Sequence, residues 1–135
     1  MEYIAIQRNA RISPRKARLS AELIRGKRVE DALNILGFGL QRGCPMLRKV
    51  LESAVANAAD QGGVDPMDLV VSEARVNGGF IIKRFRPQAR GRAHARQKRC
   101  SHIHVSVTKA EAAPKKAKTK AAKAAKTAPK SEKVK

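Results

Sequence analysis

Ten cationic side chains and no acidic one lie between Glu73 and Glu111. They are Arg75, Lys83, Arg84, Arg86, Arg90, Arg92, Arg96, Lys98, Arg99 and Lys109. Because like charges repel one another, a run of this kind favours an anionic partner. The chemistry that these residues predict is the binding of phosphate groups on a polyanion.

Cys100, His102 and His104 alternate along one predicted strand, so all three would project from the same face. A metal site completed by His94 or by an outside group is one interpretation, and with His94 it would give a metal-dependent hydrolase using His94, His102 and His104. Three ligands on one strand give poor tetrahedral geometry, however, and this face needs polar residues in any case. We therefore expect no metal, and we expect His102 to hydrogen-bond an RNA sugar or phosphate.

Enzymatic sites have no counterpart in the sequence. Paired carboxylates, a nucleophilic serine turn, a phosphate-binding glycine loop and a dinucleotide fingerprint are all absent. We expect neither an enzyme nor a cofactor, and no small-molecule substrate.

The charge balance separates two kinds of polyanion binder. The formal net charge is +19 and the sequence pI about 11.0, which is typical of nucleic-acid binding. Residues 110–135 supply +7 of this charge, which leaves +12 on residues 1–109. A linker-histone-like, DNA-compacting protein is an alternative suggested by the Lys/Ala/Pro tail, but it does not explain a basic body. Aromatic residues make up only 3%, which favours a reader of backbone and shape over one that stacks bases.

The two cysteines and the hydropathy indicate the cellular compartment. Cys44 and Cys100 share no short spacing, so we expect reduced thiols in the cytosol. No apolar run has membrane-spanning length, and we expect no membrane partner.

The elements that position the cations are a hairpin and a small body. Residues 69–109 predict one long antiparallel hairpin, with a bend or bulge at Asn77-Gly78-Gly79. Ser13-Pro14 predicts the start of a first helix, Val29 to about Phe38 a second, and Pro45 to about Asp60 a third. A short strand that leads into an extended segment precedes them, over residues 3–12.

These elements predict an α+β fold. A small three-stranded antiparallel sheet packs with three helices, and a long β-hairpin protrudes at about residues 77–100. We expect residues 1–109 to form a globular domain that binds RNA and residues 110–135 to be a disordered Lys/Ala-rich tail.

The first predicted helix carries cations in its first turn, where the helix dipole disfavours them. A phosphate at the helix start would reverse that effect. We expect the cations of the body to contact RNA, namely Arg8, Arg11, Arg15, Lys16, Arg18, Arg25, Lys27 and Arg75.

Two motifs carry a resemblance to a known family. They are Arg86-Pro87-Gln88-Ala89-Arg90-Gly91-Arg92-Ala93 and Lys98-Arg99-Cys100-Ser101-His102-Ile103, supported by the Leu23–Lys27 turn and the Val50–Ala58 helix. From Ile4 to Thr108 the sequence closely resembles the bacterial-type large-subunit ribosomal protein L twenty-two family.

The resemblance implies a structural, cytoplasmic protein of the large ribosomal subunit that binds its rRNA and supports assembly. Its partners would be that rRNA, neighbouring ribosomal proteins and the nascent polypeptide. The hairpin tip would line the peptide exit tunnel through Lys83, Arg84, Phe85, Arg86, Pro87, Arg90, Gly91 and Arg92. Further rRNA contacts on the returning arm would be Lys98, Arg99, Ser101 and His102.

Overall fold

A computed structural model describes residues 1–109. Its elements are β1 (Glu2–Ala10), α1 (Pro14–Ile24), α2 (Val29–Phe38), α3 (Gly43–Gly62), β2 (Leu69–Pro87) and β3 (Ala93–Lys109), with short 3₁₀ turns at Pro66–Asp68 and Ala89–Gly91. The predicted α+β class, three helices and three-stranded antiparallel sheet are confirmed. The tail predicted to be disordered, residues 110–135, lies outside the described residues.

The sheet has the order β1-β3-β2, so the last strand in the sequence is the central one. β3 pairs with β1 from Glu2–Thr108 to Ala10–Ser101. It pairs with β2 over a longer distance, from Leu69–Lys109 to Pro87–Ala93. The base of the hairpin therefore belongs to the sheet, and only its far end is two-stranded.

An irregularity in β2 marks the point where the third strand ends. The register shifts between Gly78 and Ile81, which confirms the predicted bulge in the first arm. A Cβ on Gly79 would lie 3.2 Å from the backbone of Cys100 and Ser101. Glycine at this position therefore allows the two arms to stay close together as the bulge forms.

The helices pack on one face of the sheet. α1 lies against β2, and α3 lies against β1 and β3. The predicted apolar stripe of α3 is buried at Leu47, Val50, Leu51, Ala54 and Ala58, with Val55 partly buried beside it. These side chains join those of Ile103, Val105 and Val107 from β3 in one core.

Turn residues fix both ends of α1. The helix begins at Pro14 as predicted, and the Ser13 carbonyl accepts hydrogen bonds from the N–H groups of Lys16 and Ala17. After the helix, Gly26 has a φ of +72°, which L residues rarely adopt. The chain then runs along the outer edge of β2, where Gly26 N–H donates to the Val71 carbonyl and Val71 N–H to the Lys27 carbonyl, both at 2.9 Å.

A small polar network joins the three strands at the base of the hairpin, near the start of β1 and β2 and the end of β3. The Ser72 hydroxyl donates to Oε1 of Glu2 at 3.0 Å and lies 2.8 Å from the Ser106 hydroxyl. Hydrogen bonding from Ser106, and then from Ser72, holds the pKa of Glu2 below its ordinary value of 4.5.

Within residues 1–109, no helix combines the length and the hydropathy that crossing a bilayer requires.

Candidate nucleic-acid interface

The far end of the hairpin, residues 81–87 and 93–99, extends past the end of β1 as a two-stranded ribbon. Every residue from Lys83 to Arg99 is exposed. Seven residues per arm give this ribbon a length of about 23 Å at roughly 3.3 Å per residue. It presents both faces and both edges to its surroundings.

The strand register sorts the ribbon's side chains onto two faces, because successive residues in a strand point to opposite sides. We call one the cationic face; it consists of Ile82, Arg84, Arg86, His94, Arg96 and Lys98. We call the other the mixed face; it consists of Ile81, Lys83, Phe85, Pro87, Ala93, Ala95, Gln97 and Arg99. Charge is therefore concentrated on one side, and aromatic and aliphatic groups on the other.

The cationic face places like charges directly opposite one another. Arg84 pairs with Arg96 in the register. Among the described residues, none of the eight Lys and Arg side chains from Lys83 to Arg99 forms a salt bridge with a carboxylate. Facing cations destabilise a strand pair by themselves, so this surface favours an external anion.

The tip is a tight turn with a left-handed centre. Arg90 has a φ of +59° and Gly91 a φ of +70°. The turn is closed by a hydrogen bond from the N–H of Gln88 to the carbonyl of Arg92 at 2.7 Å. Arg90 and Arg92 therefore extend from a turn whose backbone is held by a hydrogen bond.

Two of the arginines predicted to contact RNA also hold α1 against the sheet. Arg18 Nε donates to the Val76 carbonyl at 3.0 Å, and Arg25 Nη2 donates to the Ala74 carbonyl at 2.7 Å. Both carbonyls lie on β2, an edge strand. These guanidinium groups therefore serve the fold, whatever else their remaining N–H groups contact.

The other predicted cations of the body are exposed. They are Arg8, Arg11, Arg15, Lys16, Lys27 and Arg75. Arg75 lies 3.7 Å from the carboxylate of Glu73, so its charge is partly offset.

Ser101 and His102 have different environments on β3. Ser101 is fully buried, and its hydroxyl has no hydrogen-bond partner among the described residues. Its side chain does not lie on a surface that RNA can reach, so we leave it out of the proposed contacts.

His102 is half-buried, and its Nδ1 accepts a hydrogen bond from the N–H of Asn9 at 3.1 Å. That bond leaves Nε2 to carry the proton and to act as a donor.

A groove that the sequence did not indicate lies between α1 and the returning arm. We call it the α1 groove; its volume is about 630 Å³, and it is lined by Arg11, Ile12, Ser13, Lys16, Leu19, Gln41, Arg42, Gly43, Gln97, Lys98 and Arg99. Arg42 and Gln41 come from the glycine-rich connection between α2 and α3. No periodicity marks that connection as functional, so only the tertiary structure brings them beside Lys98.

The histidines and cysteines considered as metal ligands do not form a cluster among the described residues. Within residues 1–109 no group of three or more His, Cys, Asp or Glu side chains is arranged to hold a metal ion. Cys44 and Cys100 are both free and buried. His104 lies 4.0 Å from the carboxylate of Glu73.

Comparison with known proteins identifies the family to which this chain belongs. Residues 5–108 match the family described as "Ribosomal protein L22p/L17e". A relative named "Large ribosomal subunit protein uL22", from Oceanobacillus iheyensis, is 49% identical over 108 residues, which cover 80% of this chain and 96% of the relative. Another of the same name, from Maridesulfovibrio salexigens, is 54% identical over 107 residues, which cover 79% and 97%. The chain belongs to the L22p/L17e family of ribosomal proteins.

Family membership confirms the resemblance seen in the motifs at 86–93 and 98–103. Both motifs lie on the hairpin, one around its tip and one on the returning arm. The L22p/L17e match also spans α1, α3 and the α1 groove, so the body and the ribbon both fall within the matched residues 5–108.

Proposed function

We propose that the chain binds large-subunit rRNA through the cationic face and the exposed cations of α1, and that its hairpin lines the nascent-peptide exit tunnel. Family membership makes the protein a structural constituent of the large ribosomal subunit, located in the cytoplasm within the ribosome, and not an enzyme. Its partners therefore include rRNA and other ribosomal proteins.

The observation that carries the rRNA proposal is the Arg84–Arg96 pair and its neighbours. Eight exposed cations lie within 17 consecutive residues, Lys83 to Arg99, without a carboxylate partner among the described residues. A ribbon with two open edges is marginal in water, and facing cations weaken it further. Phosphates packed against this face would offset the repulsion and hold the ribbon in shape.

A second set of cations extends this surface onto the body. Arg11, Lys16 and Arg42 line the α1 groove together with Lys98 and Arg99. Three further cations of the body are exposed: Arg8 on β1, Arg15 on α1, and Lys27 in the turn after α1. Phosphate contacts from two elements would fix the orientation of the ribbon relative to the RNA.

The tunnel proposal is supported by the mixed face and the tip. Phe85 is 75% exposed, and Pro87 and Ala95 lie on the same side of the ribbon. A side chain of this size gains little from phosphates but can contact a peptide. We therefore propose that the cationic face meets rRNA while Phe85 and its neighbours face the nascent polypeptide.

Membership of the L22p/L17e family favours the ribosomal function over the linker-histone-like alternative. The charge distribution agrees, because +12 of the net charge lies on the folded residues 1–109.

Salt dependence tests the rRNA proposal. With about eight phosphate contacts, log affinity for structured large-subunit rRNA should fall against log salt with a slope of roughly −6 to −7. Arg84→Gln and Arg86→Gln should each reduce that slope by about one. Lys49→Gln, on α3, is the matched control. A flat salt dependence, or a preference for duplex DNA, would contradict the proposal.

Cysteine crosslinking tests the tunnel proposal. Because Cys44 and Cys100 are buried, a cysteine introduced on the ribbon supplies the accessible thiol. We expect Phe85→Cys, in assembled ribosomes with a stalled chain, to crosslink to a nascent peptide that carries a thiol-reactive group. Arg86→Cys, on the cationic face, should not. Equal crosslinking from both positions would contradict the assignment of the faces.

A further inference from the structure

The α1 groove combines features that a duplex backbone does not need. It lies where α1 meets three other segments: the connection between β1 and α1, the connection between α2 and α3, and the returning arm of the hairpin. Its volume of about 630 Å³ falls within the roughly 300–1,000 Å³ typical of pockets that enclose a ligand.

The charge of the groove is of one sign. Five of its lining residues are cations, Arg11, Lys16, Arg42, Lys98 and Arg99, and none is acidic. The start of α1 opens into the same space at Ser13, and the first turn of that helix carries no acidic residue. An anionic group in the groove would meet cations from four parts of the chain: the β1–α1 connection, α1, the α2–α3 connection and β3.

A fixed polar group lies beside these charges. The Cys44 thiol donates to Ser20 Oγ at 3.5 Å, and the Ser20 hydroxyl donates to Gln41 Oε1 at 2.7 Å. Ser20 is fully buried, so its hydrogen bond fixes the position of the Gln41 side chain at the wall of the groove. The carboxamide oxygen is thereby occupied, and the two N–H groups of Gln41 remain as donors to a ligand.

An apolar wall completes the groove. Leu19 is 56% exposed and lines it together with Ile12. An aliphatic surface adds nothing to a phosphate contact, but it covers the face of a base or sugar. A-form duplex RNA offers phosphates and hydroxyls at its surface while its bases stay stacked inside. Only an unpaired nucleotide brings a phosphate and an uncovered base to the groove together.

We propose that the α1 groove holds an unpaired nucleotide of the rRNA, with its phosphate on the cations, its polar edge on the Gln41 amide and its base or sugar against Leu19. This inference rests on the proposed rRNA binding and adds the kind of RNA element that this groove selects. The groove contains no aromatic side chain, so contact with the base is aliphatic rather than a ring stack.

The test uses the full chain and two fluorescent RNA probes, an unstructured single strand and a blunt duplex of the same length. Leu19→Ala removes the apolar wall without changing charge. Leu23→Ala is its matched control, since Leu23 lies one turn further along α1, is 47% exposed and does not line the groove. We expect Leu19→Ala to weaken single-strand binding roughly threefold to tenfold and to leave duplex binding unchanged.

The outcomes separate this inference from the proposed function. Circular dichroism first establishes that both variants keep the helical content of the wild type, as expected for exposed positions. If Leu19→Ala and Leu23→Ala bind the single strand equally, or if Leu19→Ala weakens both probes alike, the groove assignment is overturned while rRNA binding stands. If the wild-type chain binds neither probe, the proposed function itself fails.

Discussion

Arg84 lies directly opposite Arg96 across the two strands of the hairpin ribbon. Their charges belong to the same face as Arg86 and Lys98, and no carboxylate among the described residues pairs with either arginine. The free protein therefore carries a repulsion that a bound polyanion would remove. Stability of the free ribbon and affinity for RNA are thus expected to respond to mutation in opposite directions.

Arg96→Glu separates these two quantities. The new carboxylate faces Arg84, and an opposite-charge pair contributes about 0.2–1 kcal/mol to a strand pair. We expect slower amide hydrogen exchange in residues 81–99 of the free protein, together with roughly tenfold or greater loss of rRNA affinity. Arg92→Glu makes the same change of charge at the tip and should weaken RNA binding without protecting the ribbon. Faster exchange in Arg96→Glu would contradict this account.

Gly79→Ala tests the bulge. Its Cβ would come within 3.2 Å of the Cys100 and Ser101 backbone, so the arms would have to separate slightly. We expect a loss of roughly 1–3 kcal/mol in the free energy of unfolding, measured with urea. Gly78→Ala is the control, because a Cβ there meets nothing within 4 Å. Equal stabilities for the two variants would show that the bulge accommodates a side chain.

Gly91→Val tests the turn at the tip. At a φ of +70°, a non-glycine residue costs about 1–2 kcal/mol, and the β-branched valine is among the least suited. Because the tip is exposed and makes no contact with the body, the turn can relieve this strain by rearranging locally, so we expect the urea midpoint to stay unchanged while rRNA affinity falls severalfold. Ala89→Val adds similar bulk at a neighbouring position where φ is not positive, and its affinity should match that of the wild type.

Arg25→Gln tests the attachment of α1 to β2. It removes a hydrogen bond from a charged donor to the Ala74 carbonyl, which contributes about 1.5–3 kcal/mol at most sites and less where solvent reaches it. We expect lower stability toward urea. Arg15→Gln, an exposed position on the same helix, should weaken RNA binding without that loss. If Arg25→Gln were as stable as Arg15→Gln, the bond would have no structural role.

Glu2→Gln tests the polar network at the strand ends. A carboxyl whose pKa is lowered in the folded protein stabilises it above the ordinary value of 4.5, and that contribution is lost as the pH falls through the folded value. Between neutral pH and pH 4.5 the wild type should therefore keep this stabilisation, and below it the wild type should approach Glu2→Gln. Urea unfolding across acidic pH measures the difference, with Glu22→Gln as a control on α1. A constant difference at all pH values would contradict the role of Glu2.

Local signals in the sequence predicted most of the elements. Ser13-Pro14 marked the start of α1, and Asn77-Gly78-Gly79 marked the bulge, because each depends on residues next to one another. α3 begins two residues before the predicted Pro45 and ends at Gly62, since Gly63 rather than Gly62 adopts the left-handed cap. Ser101 lies two residues before Ile103 on β3, so its side chain shares the buried face of the strand, which the family resemblance by itself does not indicate.

The parts that the sequence did not predict depend on distant pairing. The contacts of Arg18 and Arg25 join α1 to strand positions about fifty residues away. The two faces of the ribbon require the exact register after the bulge, which a single shifted residue would invert. The α1 groove needs three separate segments in contact, so Arg42 and Gln41 carried no local sign of it.

The central position of β3 has a consequence for the order of events during synthesis. β1 is translated before β3, yet β3, its one strand partner among residues 1–109, is completed near residue 109, about a hundred residues later. The sheet consequently cannot close on a partly made chain, and such distant pairing slows folding. A nascent copy must release β3 as well as β1 from its own ribosome before the sheet that a new ribosome would incorporate can form.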